Sequence, residues 1–149
     1  MSLLLTPRQA EAWWDDFNSR LIAPCPRPRI IVTNLPKRQD SRWVEAWYRA
    51  QTVYLWRGLG GGPRGEWAAF HEYAHHLYEQ YDWWGAPFGP REAARLGLNW
   101  QAYKRLGLGA LGEAFPCALA YLMLGRWRRG CPQVRNLAAM LKPLLKEKP

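Results

Sequence analysis

Phe70-His71-Glu72-Tyr73-Ala74-His75-His76 lies near the middle of a 149-residue chain and holds all three of its histidines. Residues four apart on a helix stand one turn apart, with Cβ atoms roughly 5–6 Å from each other. That spacing lets the imidazoles of His71 and His75 converge on one ion at about 2.0–2.1 Å per Zn–N bond. Glu72 follows His71 by about 100° of helical rotation, so its carboxylate can reach a water on that ion without ligating it. Zinc lowers the pKa of such a water towards 7, and a neighbouring carboxylate can take its proton. H-E-x-x-H thus points to a Zn²⁺ site with His71 and His75 as ligands and Glu72 as the catalytic base. The competing reading is the polar face of an amphipathic helix, with His75 or His76 a satisfied core histidine. The gathering of every histidine into one stretch, behind a strand-like run, favours the metal.

Outward from the motif, the spacing predicts a helix over residues 66–81. Trp67, Phe70, Ala74, Leu77 and Tyr81 are expected on the side away from the two histidines. Residues 58–65 are glycine-rich but lack the Lys-Ser/Thr ending of a phosphate loop, so they read as a plain loop. Residues 42–48 and 51–56 are aromatic-rich runs that suggest a β-hairpin turning at Arg49-Ala50. Residues 35–41 read as polar and turn-like, and the β-branched run 29–33 as a buried strand. At the start, Thr6 is a natural N-cap with Pro7 at the first helical position and Gln9 completing a capping box. Ala10, Trp13, Trp14, Phe17 and Leu21 then form one apolar stripe.

Beyond the motif, residues 82–89 read as an aromatic, Gly/Pro-broken loop, and residues 90–96 and 99–105 as short helices. Glu113 opens a mostly apolar helix ending near Gly125. A basic turn, residues 126–129, leads to a closing amphipathic helix on Val134, Leu137, Ala138 and Leu141 that Pro143 ends.

A catalytic zinc usually takes three protein ligands and keeps one position for water. Glu79 shares the line of His71 and His75, but a second full turn carries it too far along the helix. Asp82 lacks the glycine that a short-spaced third ligand uses. Glu92 belongs to a short polar helix and reads as solvated. Glu113 is an isolated acid heading an apolar helix, where a buried carboxylate needs a cation; it reads either as the third ligand or as an acid favoured by the helix dipole.

Composition frames the partners. Nearly half the residues (48%) are hydrophobic and ten are Trp, which excludes a disordered chain. The net charge of +9, from 21 basic and 12 acidic residues, permits an acidic partner or nucleic acid. An arginine-rich solvated surface explains it equally, and no basic motif of a known nucleic-acid module is present. Cys25, Cys117 and Cys131 have no metal-ligand spacing, and an odd count argues against a secreted disulfide framework. The opening residues lack the pattern of a signal peptide. The longest apolar run, residues 114–124, is too short for a bilayer. A reduced, cytoplasmic protein without membrane contact is expected.

The order strand, His71-Glu72-Tyr73-Ala74-His75, then Glu113 heading an Ala/Leu/Met-rich helix resembles the gluzincin branch of the zincin metallopeptidases. Within it, the small ImmA/IrrE-like peptidases are most similar, with Leu119-Ala120 where they carry Phe-Ala and Leu122-Met123-Leu124 near their Leu-Leu-Met-Pro ending. The chain departs from them at Ala74, often Gly, at Pro116 within the first turn after Glu113, and in lacking the final Pro. The resemblance implies a single α+β zincin-like domain over residues 1–149, with a small, mostly antiparallel sheet packed on the motif helix and further C-terminal helices. It implies a cytoplasmic zinc peptidase acting on a protein or peptide substrate, such as a regulatory protein, in which Glu72 passes a proton to the leaving amine. It also implies that residues 51–56 form the edge strand to which an extended substrate adds. His76, Tyr103 and several arginines are candidates for stabilising the oxyanion. An inactive zincin-fold binding module, or a basic nucleic-acid-associated protein, are the readings from other classes.

Overall fold

Pro7 can open the first helix because the N–H it lacks is one that a helix start leaves unpaired. The structure, a computed structural model, describes residues 3–80, 114–125 and 134–146. Helix α1 spans Pro7–Ser19, and the Thr6 hydroxyl caps it by accepting from the Gln9 amide at 3.2 Å. Ala10, Trp13, Trp14 and Phe17 are buried along its expected stripe, followed by Leu21.

Five strands follow: β1 (Arg29–Thr33), β2 (Lys37–Gln39), β3 (Arg42–Val44), β4 (Ala46–Arg49) and β5 (Thr52–Trp56). One sheet has the order β1-β5-β4, with β1 parallel to β5 and β4 antiparallel to it. β2 and β3 pair as a separate antiparallel ribbon. The expected hairpin is β4–β5, but it turns through Ala50 and Gln51, with φ of +50° and +60°. Two left-handed residues make a turn whose twist matches the strands, here without the usual Asn-Gly. The ribbon turns in the same way through Asp40 and Ser41, with φ of +48° and +65°. Residues 37–39, expected in a turn, therefore form a strand, because β3 supplies backbone partners that their polar side chains do not advertise.

The expectation that residues 51–56 form the sheet edge is corrected. β5 lies between β1 and β4, and its Val53 and Leu55 are fully buried. The parallel pairing of β1, starting at Arg29↔Thr52, covers the side that was expected to be open. The edge is β4.

Helix α2 spans Pro63–Gln80 and packs against α1, β4 and β5. Its first turn comes so near the preceding loop that a Cβ at Gly65 would strike the Gly60 carbonyl and the Trp13 ring. Helix α3 (Ala114–Leu124) packs between α2 and α4 (Val134–Leu141). Phe115, Cys117, Ala118, Leu119, Ala120 and Met123 of α3 are buried, as an all-round apolar helix requires. Gly125, with φ +70°, ends α3 by donating its N–H to the Tyr121 carbonyl at 2.7 Å. Arg20 pairs with Asp16 at 3.0 Å and donates to the Met123 carbonyl, satisfying an acceptor that the end of α3 leaves open.

The described elements share one apolar cluster, and the architecture is α+β with a small, mostly antiparallel sheet on the motif helix. No helix among the described residues is long and apolar enough to cross a membrane. The readings at residues 82–105, at Glu113, at residues 126–129 and at Cys131 lie outside the described residues, as does Tyr81.

Candidate metal centre

Each side chain of the motif is placed by its angle on α2. Phe70, Tyr73, Ala74 and Leu77 face the core and are buried to within 1% of their surface. His71 and Glu72 sit at its margin, 9% and 7% exposed, and His75 is half-buried. His71, Glu72 and His75 bring their donor atoms to within 4.8 Å of one another. The imidazoles of His71 and His75 stand 5.0 Å apart between centroids, inclined at 75°, and His71 Nε2 lies 3.9 Å from Glu72 Oε1.

Two imidazoles and a carboxylate, largely shielded from water, form a donor set that could hold a metal ion. His71 Nδ1 faces Cys117 Sγ on α3 at 3.6 Å. Cys117 is disulfide-bonded, contrary to the expectation of reduced cysteines, so its sulfur has no proton to give. The contact suits the tautomer with hydrogen on Nδ1 and the lone pair on Nε2, turned towards Glu72. Cys25 is a free, buried thiol whose pKa burial pushes up to about 11.

Aromatic rings orient both histidines. Trp67 stacks on His71 at 5.2 Å and 25°, which corrects its expected place on the far side of the helix. It precedes His71 by four residues and so shares its face. From β4, the Tyr48 ring lies parallel to His75, 6.4 Å away and inclined by 5°.

His76 is not an oxyanion donor. It is 1% exposed and edge-on to Trp14, with Nε2 at 2.7 Å from the Pro26 carbonyl and Nδ1 at 3.0 Å from the Tyr48 hydroxyl. The carbonyl can only accept, so Nε2 carries hydrogen. Burial lowers the pKa of His76, against the opposing Pro26 hydrogen bond and Glu79 charge. Tyr48 also hydrogen-bonds Glu79, and burial with that carboxylate raises its pKa strongly. Edge strand and motif helix are thereby joined through one hydroxyl.

The donor set opens on two adjoining clefts, and Glu72 lines both. One, of about 520 Å³, has Arg42, Trp43, Glu45, Arg64, Trp67 and His71 among its lining residues. The other, of about 240 Å³, runs past Gln39, Val44, Ala46, Trp47, Tyr48 and His75. Glu113, Asp82, Glu92 and Tyr103 lie outside the described residues, so the motif contributes the whole of the described donor set. Sequence reasoning missed Trp67, Tyr48, Arg42 and Arg64 at the site. Only Trp67 was signalled, by its four-residue spacing from His71. No protein-family model, curated protein or solved structure matches the chain.

Proposed function

We propose that the chain is a zinc-dependent peptidase of the gluzincin kind, akin to the small ImmA/IrrE-like enzymes, acting on an extended segment of a protein. The observation that carries this reading is the convergence of His71, Glu72 and His75 in a cleft walled by the edge strand β4. A bound Zn²⁺ would supply Lewis-acid polarisation of the scissile carbonyl and make a water acidic enough to attack at neutral pH. His71 and His75 would hold the ion through their ring nitrogens, with Trp67 and Tyr48 keeping the two rings in place. Glu113 is proposed as the third ligand, brought in by tertiary folding from 38 positions beyond His75 (113 − 75). Glu72 takes the proton from the attacking water and passes it to the departing amine, so water is added across the C–N bond. β4 has a partner strand on one side only among the described residues, and its other side accepts the substrate backbone as a further strand.

The test joins elemental analysis with a peptidase assay on a mixed peptide substrate. Purified protein should carry close to one zinc, lose it in His71→Ala/His75→Ala, and keep it in Glu72→Gln with hydrolysis lowered by about 10²-fold or more. Glu113→Gln should weaken zinc binding, whereas Asp82→Asn and Glu92→Gln should not. Zinc retained in the double histidine variant would sink the metal assignment; zinc without hydrolysis that depends on Glu72 would leave a binding module.

A further inference from the structure

We propose that the β2–β3 ribbon is a specificity element that selects acidic side chains in the segment entering the cleft. This rests on the peptidase reading for its consequence, but on separate residues for its evidence. Arg42 and Trp43 line the same 520 Å³ cleft as His71 and Glu72, so a segment that enters by this cleft passes them. Trp43 is 60% exposed, so its indole is offered to whatever enters that cleft. The Arg38 guanidinium lies 5.4 Å over its ring, and Lys37 sits 5.8 Å over Trp47 of β4. Stacking on a ring holds a guanidinium by its flat face and leaves its N–H edge for a carboxylate. Lys37, Arg38 and Arg42 are exposed, and none has an acidic partner among the described residues. Arg64, on the same cleft, is by contrast paired with Glu45.

Three unneutralised cations and an exposed indole on one short ribbon, in a chain of net charge +9, call for an anionic partner. The cleft itself decides between two polyanions. Glu72 lines it at the donor set, while Glu45 is neutralised by Arg64, so a strand with a phosphate at every nucleotide would be driven against the Glu72 carboxylate. A peptide can place an acid opposite Arg42 and a neutral residue opposite Glu72. The occupant is therefore an extended peptide with Asp or Glu at the positions that cross the ribbon.

The experiment measures binding of labelled peptides to full-length Glu72→Gln protein by fluorescence anisotropy, in low and physiological salt. An extended peptide carrying Glu at alternate positions is compared with the same peptide carrying Gln, and with a single-stranded oligonucleotide of similar length. The acidic peptide should bind about tenfold more tightly than the neutral one at low salt, with the advantage shrinking as salt rises. Adding Arg42→Glu should abolish the preference, Arg38→Glu should reduce it, and Arg42→Lys should keep most of it; melting temperatures confirm that each variant is folded. Equal binding of the two peptides, a preference indifferent to Arg42→Glu, or tighter binding of the oligonucleotide would each overturn the proposal. No turnover is read, so loss of the preference in a protein that still cleaves peptides refutes this inference alone. A preserved preference in a protein without zinc or hydrolysis refutes the peptidase alone.

Discussion

His75 and His76 are neighbours in the chain with opposite fates, because about 100° of helical rotation separates them. One turns to the cleft beside His71, while the other is sealed between Trp14, the Pro26 carbonyl and Tyr48. A run of three histidines is legible as chemistry; which one belongs to the core depends on a proline 50 residues away and could not be read locally. Cys25 is a second residue whose behaviour follows from burial. Burial pushes its pKa in the folded protein up to about 11, above the ordinary thiol value of 9.0, so folding favours the neutral thiol. The stability this represents is fully present below pH 9 and is lost as pH rises towards 11. Melting temperature followed over that range should fall less steeply in Cys25→Ala than in the wild type. Parallel curves for the two proteins would show the thiol to be solvated.

At the scale of elements, legibility tracked how local each signal is. The stripe of α1, its Thr6 cap and the apolar α3 announce themselves within a dozen residues, and all stand where the pattern puts them. β1 and β5 were both recognisable as strands, yet their parallel pairing joins residues more than twenty positions apart and leaves no periodic trace. Mistaking the central strand for the edge followed directly from that. The Ala50–Gln51 turn hid for another reason, since neither residue favours a positive φ. A left-handed L-residue costs roughly 1–2 kcal/mol, and an Asn-Gly pair takes that conformation readily. Ala50→Asn/Gln51→Gly should therefore stabilise the protein by about 1 kcal/mol in urea unfolding, after the entropy that glycine adds to the unfolded chain. An unchanged midpoint would mean that the hairpin bears no strain there.

Across the whole molecule, α2 packs on β4 and β5 of the sheet and on α1 and α3, so the site rests on a helix supported from several sides. The candidate site was half legible. H-E-x-x-H named His71, Glu72 and His75, but the cleft around them is built by Arg42, Trp43 and Tyr48, which reach it only through tertiary folding. Tyr48 carries a consequence of its own. Its hydroxyl is shared between His76 and Glu79 of α2, so β4 cannot lift from the helix without breaking both part-buried hydrogen bonds. The strand and the middle of α2 should therefore unlock as one unit in native-state hydrogen exchange, with a common opening free energy for the amides of residues 47–48 and 74–77. Tyr48→Phe should uncouple them: the strand amides should exchange about tenfold or more faster, while the helix amides keep their protection. If the two sets already exchange independently in the wild type, the hydroxyl is no latch, and the breadth of the cleft is free to fluctuate on the timescale of that opening.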